Sequence, residues 1–182
     1  GDPQAILVVD ETGFLKQGVK SVGVKRQYSG TAGRIENCQI GVFLTYAAPD
    51  GYVLLDRELY LPHEWADDAE RRQEAGVPER VTFATKPELA RRMLERARTA
   101  GIAAAWVTGD SIYGGDRRLR VWLEQQRQPF VLAVARNEPL WAVLEEQWGQ
   151  YRAYALAAAL PPEQWQRLSA GEGEKGPRWY DW

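Results

Sequence analysis

An α/β fold built on a mixed sheet follows from three features of the sequence. Ile6-Leu7-Val8-Val9-Asp10 is a short, β-branched run that stops at a carboxylate and is followed by Glu11-Thr12-Gly13. Residues 103–107, Ala-Ala-Ala-Trp-Val, lead in the same way into Thr108-Gly109-Asp110, with Tyr113-Gly114-Gly115 just beyond. Between them, two β-rich runs at 39–46 and 52–60 flank Pro49-Asp50-Gly51, a turn that signals an antiparallel hairpin. The two acid-terminated runs read as strands buried on both faces, and open sheets place their chemistry beyond such strand ends. Asp10 and Asp110 are therefore the candidate site, expected to meet at one edge of one sheet.

The intervening segments follow in order. Residues 12–37 carry glycines at 13, 18, 23, 30 and 33 without a sustained period, which reads as a long loop or an irregular hairpin beside the site. An acidic excursion over 61–80 holds one short helix near 66–74. Thr85-Lys86-Pro87-Glu88 has capping-box spacing with proline in the first turn, and Leu89, Met93, Leu94 and Ala97 continue a helix that Gly101 stops. Gly114-Gly115-Asp116 opens a second helix with Leu119, Trp122 and Leu123 on one face, closed before Pro129, and residues 130–135 form a fifth strand.

The composition shifts beyond Asn137. Leu140, Trp141, Leu144 and Trp148 have the spacing of a short helix, and residues 151–160 form a second stretch with no polar face. Residues 169–176 read as a glycine-rich, charged turn, and 177–182 as a strand beginning where the chain stops. Two segments are expected: 1–137 as a core, and 138–182 as the start of an incomplete further subdomain.

A length of 182 residues with 45% hydrophobic content allows one well-buried domain with an appendage. There is no apolar stretch of membrane-spanning length and no secretory leader, and the single Cys38 excludes an internal disulfide. With His63 the one histidine, a Cys/His zinc site is disfavoured, and a reducing cytoplasm fits. A net charge of −2 is not that of a bulk nucleic-acid binder, yet the charge is polarised. Residues 16–34 contain Lys16, Lys20, Lys25, Arg26 and Arg34 and no acid, whereas 56–80 are predominantly acidic. The basic segment reads either as a nucleic-acid-facing loop or as a solvated one, and Tyr28 within it either stacks on a base or pins the loop to the sheet.

Two adjacent carboxylates repel unless they share a cation, and hard divalent ions such as Mg²⁺ or Mn²⁺ suit oxygen ligands and a phosphate substrate. A pair of such ions supports phosphodiester cleavage, chemistry that usually draws on a third acid. Alternatively each Asp caps the turn that follows it. Asp10-Glu11-Thr12-Gly13 also resembles the nucleophile motif of haloacid-dehalogenase-like phosphotransferases, with Gly109-Asp110-Ser111 as their metal motif and Lys86 as their lysine. Against that, residue 114 is glycine where a second acid is expected, and a hairpin after the first strand conflicts with a parallel core.

A more extended resemblance runs along nearly the whole chain. Asp10-Glu11-Thr12-Gly13-Phe14-Leu15-Lys16-Gln17-Gly18, Ser21-Val22-Gly23-Val24, Arg26-Gln27-Tyr28-Ser29-Gly30 and Glu36-Asn37-Cys38-Gln39 resemble bacterial insertion-sequence transposases of the DDE superfamily. Leu59-Tyr60-Leu61-Pro62 with Trp65, Thr85-Lys86-Pro87, Gly109-Asp110 and Tyr113-Gly114 continue the match in the same order. The resemblance implies an RNase H-like core, a meander of three antiparallel strands plus two parallel ones with flanking helices. It also implies a Mg²⁺-dependent (or Mn²⁺-dependent) endonuclease and strand transferase acting on double-stranded DNA at transposon ends. A homodimer of the longer protein is compatible with it.

On this resemblance Asp10 and Asp110 are the first two catalytic, metal-binding acids, and Lys16, Lys20, Lys25, Arg26 and Tyr28 lie on the DNA side. The family's third acid, a Glu on a helix after a β-rich insertion, has no match here. Glu138, Glu145 and Glu146 are poor substitutes, because they are expected at surface positions of a helix. Three functions therefore stand: an incomplete transposase core, a non-catalytic DNA-binding remnant, and the phosphotransferase. Strand order separates the first from the last, since a phosphotransferase needs a helix straight after Asp10 in a parallel sheet.

Overall fold

The computed structural model describes residues 1–173 and 176–182, folded as two compact units, Gly1–Ala133 and Val134–Trp182. The first unit contains, in order, strands β1 (Ile6–Leu15), β2 (Lys25–Ser29), β3 (Arg34–Ala48) and β4 (Gly51–Tyr60), then helices α1 (His63–Ala66), α2 (Ala69–Glu74) and α3 (Lys86–Thr99). Strand β5 (Trp106–Gly109), helices α4 (Ser111–Gly114) and α5 (Arg117–Gln125), and strand β6 (Phe130–Leu132) complete it.

The strands make one mixed sheet in the order β2-β3-β1-β5-β6, with β4 also paired to β3. β1, β3 and β4 form the antiparallel meander, and β5 and β6 run parallel to β1. With helices flanking it, this is the RNase H-like α/β arrangement. β1 continues through Leu15, paired to β3 as far as Cys38, where the phosphotransferase alternative requires a helix.

Side chains alternate across β1, so Leu7 and Val9 are buried while Ile6 is exposed and Val8 half-buried. The buried set meets Leu44 and Val42 of β3, Val107 of β5, and Leu89, Ala90, Met93 and Leu94 of α3. α3 starts where expected: Thr85 is its N-cap, accepting from the Glu88 N–H at 3.3 Å, and Gly101 at φ +72° follows its end. The opposite sheet face stays open, with Trp106 46% and Val131 54% exposed. The expectation of strands buried on both faces is thus corrected, because the helices that contact the sheet gather on one side.

Other boundaries also move. Of the long loop or irregular hairpin expected over 12–37, the structure has the hairpin: β2 and β3 pair antiparallel, and β1 extends into the segment as far as Leu15. The acidic excursion holds two short helices, α2 capped by the Asp68 carboxylate through the Arg71 N–H. Gly114 lies in the one-turn helix α4, while α5 is capped separately by Asp116. The fifth strand is only three residues long.

The second unit consists of strands β7 (Pro139–Leu144) and β8 (Gln147–Arg152), helix α6 (Ala153–Ala159), and strands β9 (Arg167–Gly173) and β10 (Gly176–Asp181). Each strand pair is an antiparallel ribbon. The helix expected from Leu140, Trp141, Leu144 and Trp148 is instead the β7-β8 hairpin, with Trp141 and Trp148 stacked at 5.9 Å. Its turn is Glu145-Glu146, both at positive φ, a conformation that a two-residue hairpin demands and that glutamates do not advertise. Of the glycine-rich turn expected at 169–176, residues 169–173 belong to β9, and 174 and 175 lie outside the described residues. Among the described residues no helix is long and apolar enough to cross a membrane.

One close approach in the first unit depends on glycine. A Cβ on Gly114 would fall 1.8 Å from the Ala133 carbonyl oxygen, so α4 can lie against the end of β6 only without a side chain there. Gly114→Ala should lower the unfolding free energy by about 3 kcal/mol, the upper end of ordinary overpacking costs. Urea denaturation checks this, and wild-type stability would contradict the contact.

Candidate active site

Asp10 and Asp110 are brought side by side by backbone pairing. β1 and β5 run parallel with Val9 opposite Gly109, so each acid is the residue that follows a paired position on neighbouring strands. Asp10 lies in the middle of β1 rather than at its end, on the open face of the sheet, and Asp110 leaves β5 to cap α4. Both carboxylates are exposed.

Each is also fixed by its own backbone. Asp10 Oδ1 accepts from the Glu11 N–H at 2.8 Å, and Asp110 Oδ1 accepts from the Ile112 N–H at 2.9 Å. Asp110 is therefore a helix cap as well as a site candidate, and one cap hydrogen bond leaves its second oxygen for another partner. Partial desolvation holds the Asp10 carboxyl above its ordinary pKa, reinforced by the negative charges of Glu11 and Asp110 and opposed by the Glu11 N–H and by Lys86.

The donor set fits a hard divalent cation. Two carboxylates reach solvent together, neither histidine nor thiol is near them in sequence, and an added positive charge would relieve the repulsion raising Asp10. Among the described residues no three His, Cys, Asp or Glu side chains converge on one point, so a cation here would draw its remaining ligands from water or substrate. Glu145 and Glu146 form the tip of the β7-β8 hairpin in the second unit.

The five residues expected to face DNA separate into groups. Arg26 and Tyr28 pair with Asn37 and Ile35, which puts them on the same sheet face as Asp10, and both are exposed. Along β3, six residues separate the level of Arg26 from that of Asp10 and eight separate that of Tyr28, about 20 and 26 Å at ~3.3 Å per residue. Lys25 points to the other face and is paired with Glu64, while Lys20 is paired with Glu74 at 2.9 Å. The acidic segment thus answers the basic one directly. Lys16 follows β1 in a loop held by Asn37, whose side-chain amide donates to the Lys16 and Gly18 carbonyls at 2.7 and 2.9 Å.

Three further residues belong beside this site: Glu11 and Tyr113, which the sequence did not single out for it, and Lys86, singled out only as the lysine of the phosphotransferase alternative. Glu11, 12% exposed at its side chain, accepts from Lys86 Nζ and from the Tyr113 hydroxyl, both at 2.8 Å. Burial, the Glu11 charge and this hydrogen bond all push the Tyr113 hydroxyl pKa upward. The available signal was alternation: the residue after a solvent-facing Asp in a strand faces the core, where an acid needs partners.

The whole chain, residues 1–182, matches the model of a family described as DDE superfamily endonuclease. Over 153 residues it is 33% identical to a probable transposase for insertion sequence element IS701 from Microchaete diplosiphon. That match covers 80% of this chain and 36% of the relative, so the chain spans about a third of the length of the curated protein it matches.

Because the folded state raises the Asp10 pKa, ionised Asp10 destabilises the metal-free protein at neutral pH, and the penalty fades as pH falls through the folded pKa. Asp10→Asn should therefore melt at a higher temperature than wild type at pH 7 without divalent ions, with the two curves converging in acid. Thermal scans across pH check this, and equal midpoints at pH 7 would contradict it.

Proposed function

The chain belongs to the DDE superfamily endonucleases, and from that premise we propose that it is catalytic-core sequence of an insertion-sequence DNA transposase. The reaction is divalent-metal-dependent cleavage, followed by strand transfer, at transposon ends in double-stranded DNA. The observation that carries this reading is the Val9-Gly109 pairing, which sets Asp10 and Asp110 next to each other on an open sheet face. The segment 1–137 serves as the catalytic core, and 138–182 begins an inserted subdomain.

Asp10 and Asp110 are the proposed catalytic acids and hold Mg²⁺ or Mn²⁺. When bound, such an ion neutralises charge at the scissile phosphate and makes a nearby water more acidic. The chain's own part is orientation. The Glu11 and Ile112 N–H groups each fix one carboxylate oxygen and direct the other outward. In cleavage a water oxygen forms a bond to phosphorus as the P–O3′ bond breaks, the water losing a proton to solvent and the leaving O3′ taking one up from solvent to become a 3′-hydroxyl. In transfer a DNA 3′-hydroxyl takes the water's place.

Arg26 meets the DNA backbone about six nucleotides from the cut and Tyr28 a base or sugar about eight from it, taking about 3.4 Å per step along a strand. Lys16 supports the same surface. Lys20 and Lys25 contribute less, because a phosphate must displace Glu74 or Glu64 from them.

In a transposase that contains this segment intact, Asp10→Asn and Asp110→Asn should each abolish metal-dependent nicking of transposon-end DNA while leaving DNA affinity within a fewfold. Nicking that survives either change would refute the site. Arg26→Ala should weaken binding to all sequences and reduce the slope of log K against log salt by about 1, more than Lys20→Ala or Lys25→Ala does. Fluorescence anisotropy at several salt concentrations checks this, and the reverse order would refute the assignment.

A further inference from the structure

Glu11 lies one peptide beyond Asp10, but strand alternation turns it to the opposite side of the sheet, under α3 and α4. Its two carboxylate oxygens are used separately. Oε1 takes the Lys86 ammonium from the first turn of α3, and Oε2 takes the hydroxyl of Tyr113 in α4. Tyr113 is fully buried, and the Lys86 side chain is 18% exposed.

Tyr113 also lies three residues past Asp110, within the single helical turn that Asp110 caps. The bridge therefore joins the backbone immediately beyond one acid to the turn immediately beyond the other. Its position within the sheet has no slack: a Cβ on Gly109 would be 2.7 Å from Val9 Cγ2 and 3.3 Å from Tyr113.

Lys86 breaks a local rule. A cation in the first turn of a helix opposes the helix dipole, whereas an acid there would be favoured. Its charge is directed to Glu11, and charge placed against local preference in this way marks a functional demand.

Resting on the reading of Asp10 and Asp110 as a metal-binding pair, we propose that Glu11, Lys86 and Tyr113 are positioning residues that set the spacing of those two carboxylates and thereby the affinity for a divalent cation. None of the three touches the cation or the DNA. They act through the peptide between Asp10 and Glu11 and through the turn between Asp110 and Tyr113.

The test is a Mn²⁺ titration of the 182-residue chain, followed by paramagnetic broadening of the backbone amide signals of residues 10 and 110, far below the melting temperature. Asp10→Asn defines the signal for loss of the site. Tyr113→Phe, which removes one hydroxyl, and Glu11→Gln should each need about tenfold more Mn²⁺ than wild type, the size typical of outer partners of metal ligands.

A bridge that only stabilises the fold would lower the melting temperature of these variants and leave the Mn²⁺ midpoint where it is. Wild-type midpoints in both variants, with binding still lost in Asp10→Asn, would overturn the positioning role while leaving the metal pair intact. Should Glu11→Gln fail to fold, Tyr113→Phe decides alone. If wild type and Asp10→Asn titrate alike, the metal pair itself is wrong and the positioning role falls with it.

Discussion

The register between β1 and its two neighbours governs where the acids of this chain lie. Val9 faces Leu44 of β3 on one side and Gly109 of β5 on the other, and the period of two then assigns every later residue of β1 to a face. In this register Asp10 reaches the open face and Glu11 goes under the helices. A slip of one residue would exchange them, burying the acid beside Asp110 and exposing the one held by Lys86 and Tyr113. The partners of Glu11 thus resist the slip, because leaving the half-buried Lys86 ammonium unpaired is costly.

Electrostatics on the two faces differ accordingly. Under the helices each charge has a partner: Glu11 with Lys86, and Asp56 and Glu58 of β4 with Arg96 of α3 at 2.8 and 2.7 Å. On the open face the Asp110 charge adds to the cost of ionising Asp10, and Arg26 is too far along the sheet to neutralise either acid. Stability alone would not favour such a pair. A fold that keeps two neighbouring acids without an ion-pair partner on an open sheet face resembles other functional sites, where local strain is tolerated because a ligand relieves it. The pairs Lys20-Glu74 and Lys25-Glu64 are exposed, so they contribute little to stability but set the charge that an approaching polyanion meets.

Much of the first unit could be read from the sequence because its signals are local. The Thr85 cap, the Pro-Asp-Gly turn and the apolar runs each specify structure within a few residues, and the α/β mixed sheet followed from them. Asp10 and Asp110 are candidates because of the type of residue that ends each run, although β1 passes through Asp10. What remained illegible depended on partners distant in sequence. Whether a hydrophobic run is covered on one face or two is decided by where helices pack, and residues 12–15 are strand because β3 offers them a ladder. Lys86 and Tyr113 are 75 and 102 residues from Glu11, so no local pattern could join them. The β7-β8 hairpin was missed because its tryptophan and leucine spacing also fits a helix and its turn holds no glycine or asparagine.

The claim on which the functional reading turns is that Asp10 and Asp110 share one cation. A crystal of this chain soaked in Mn²⁺ and measured at a wavelength where manganese scatters anomalously tests it most directly. The sharing predicts an anomalous peak within coordinating distance of one oxygen from each carboxylate, about 2.0 to 2.2 Å for an ion of this class. A peak at only one of the two acids, or none near either in a well-ordered site, would contradict it.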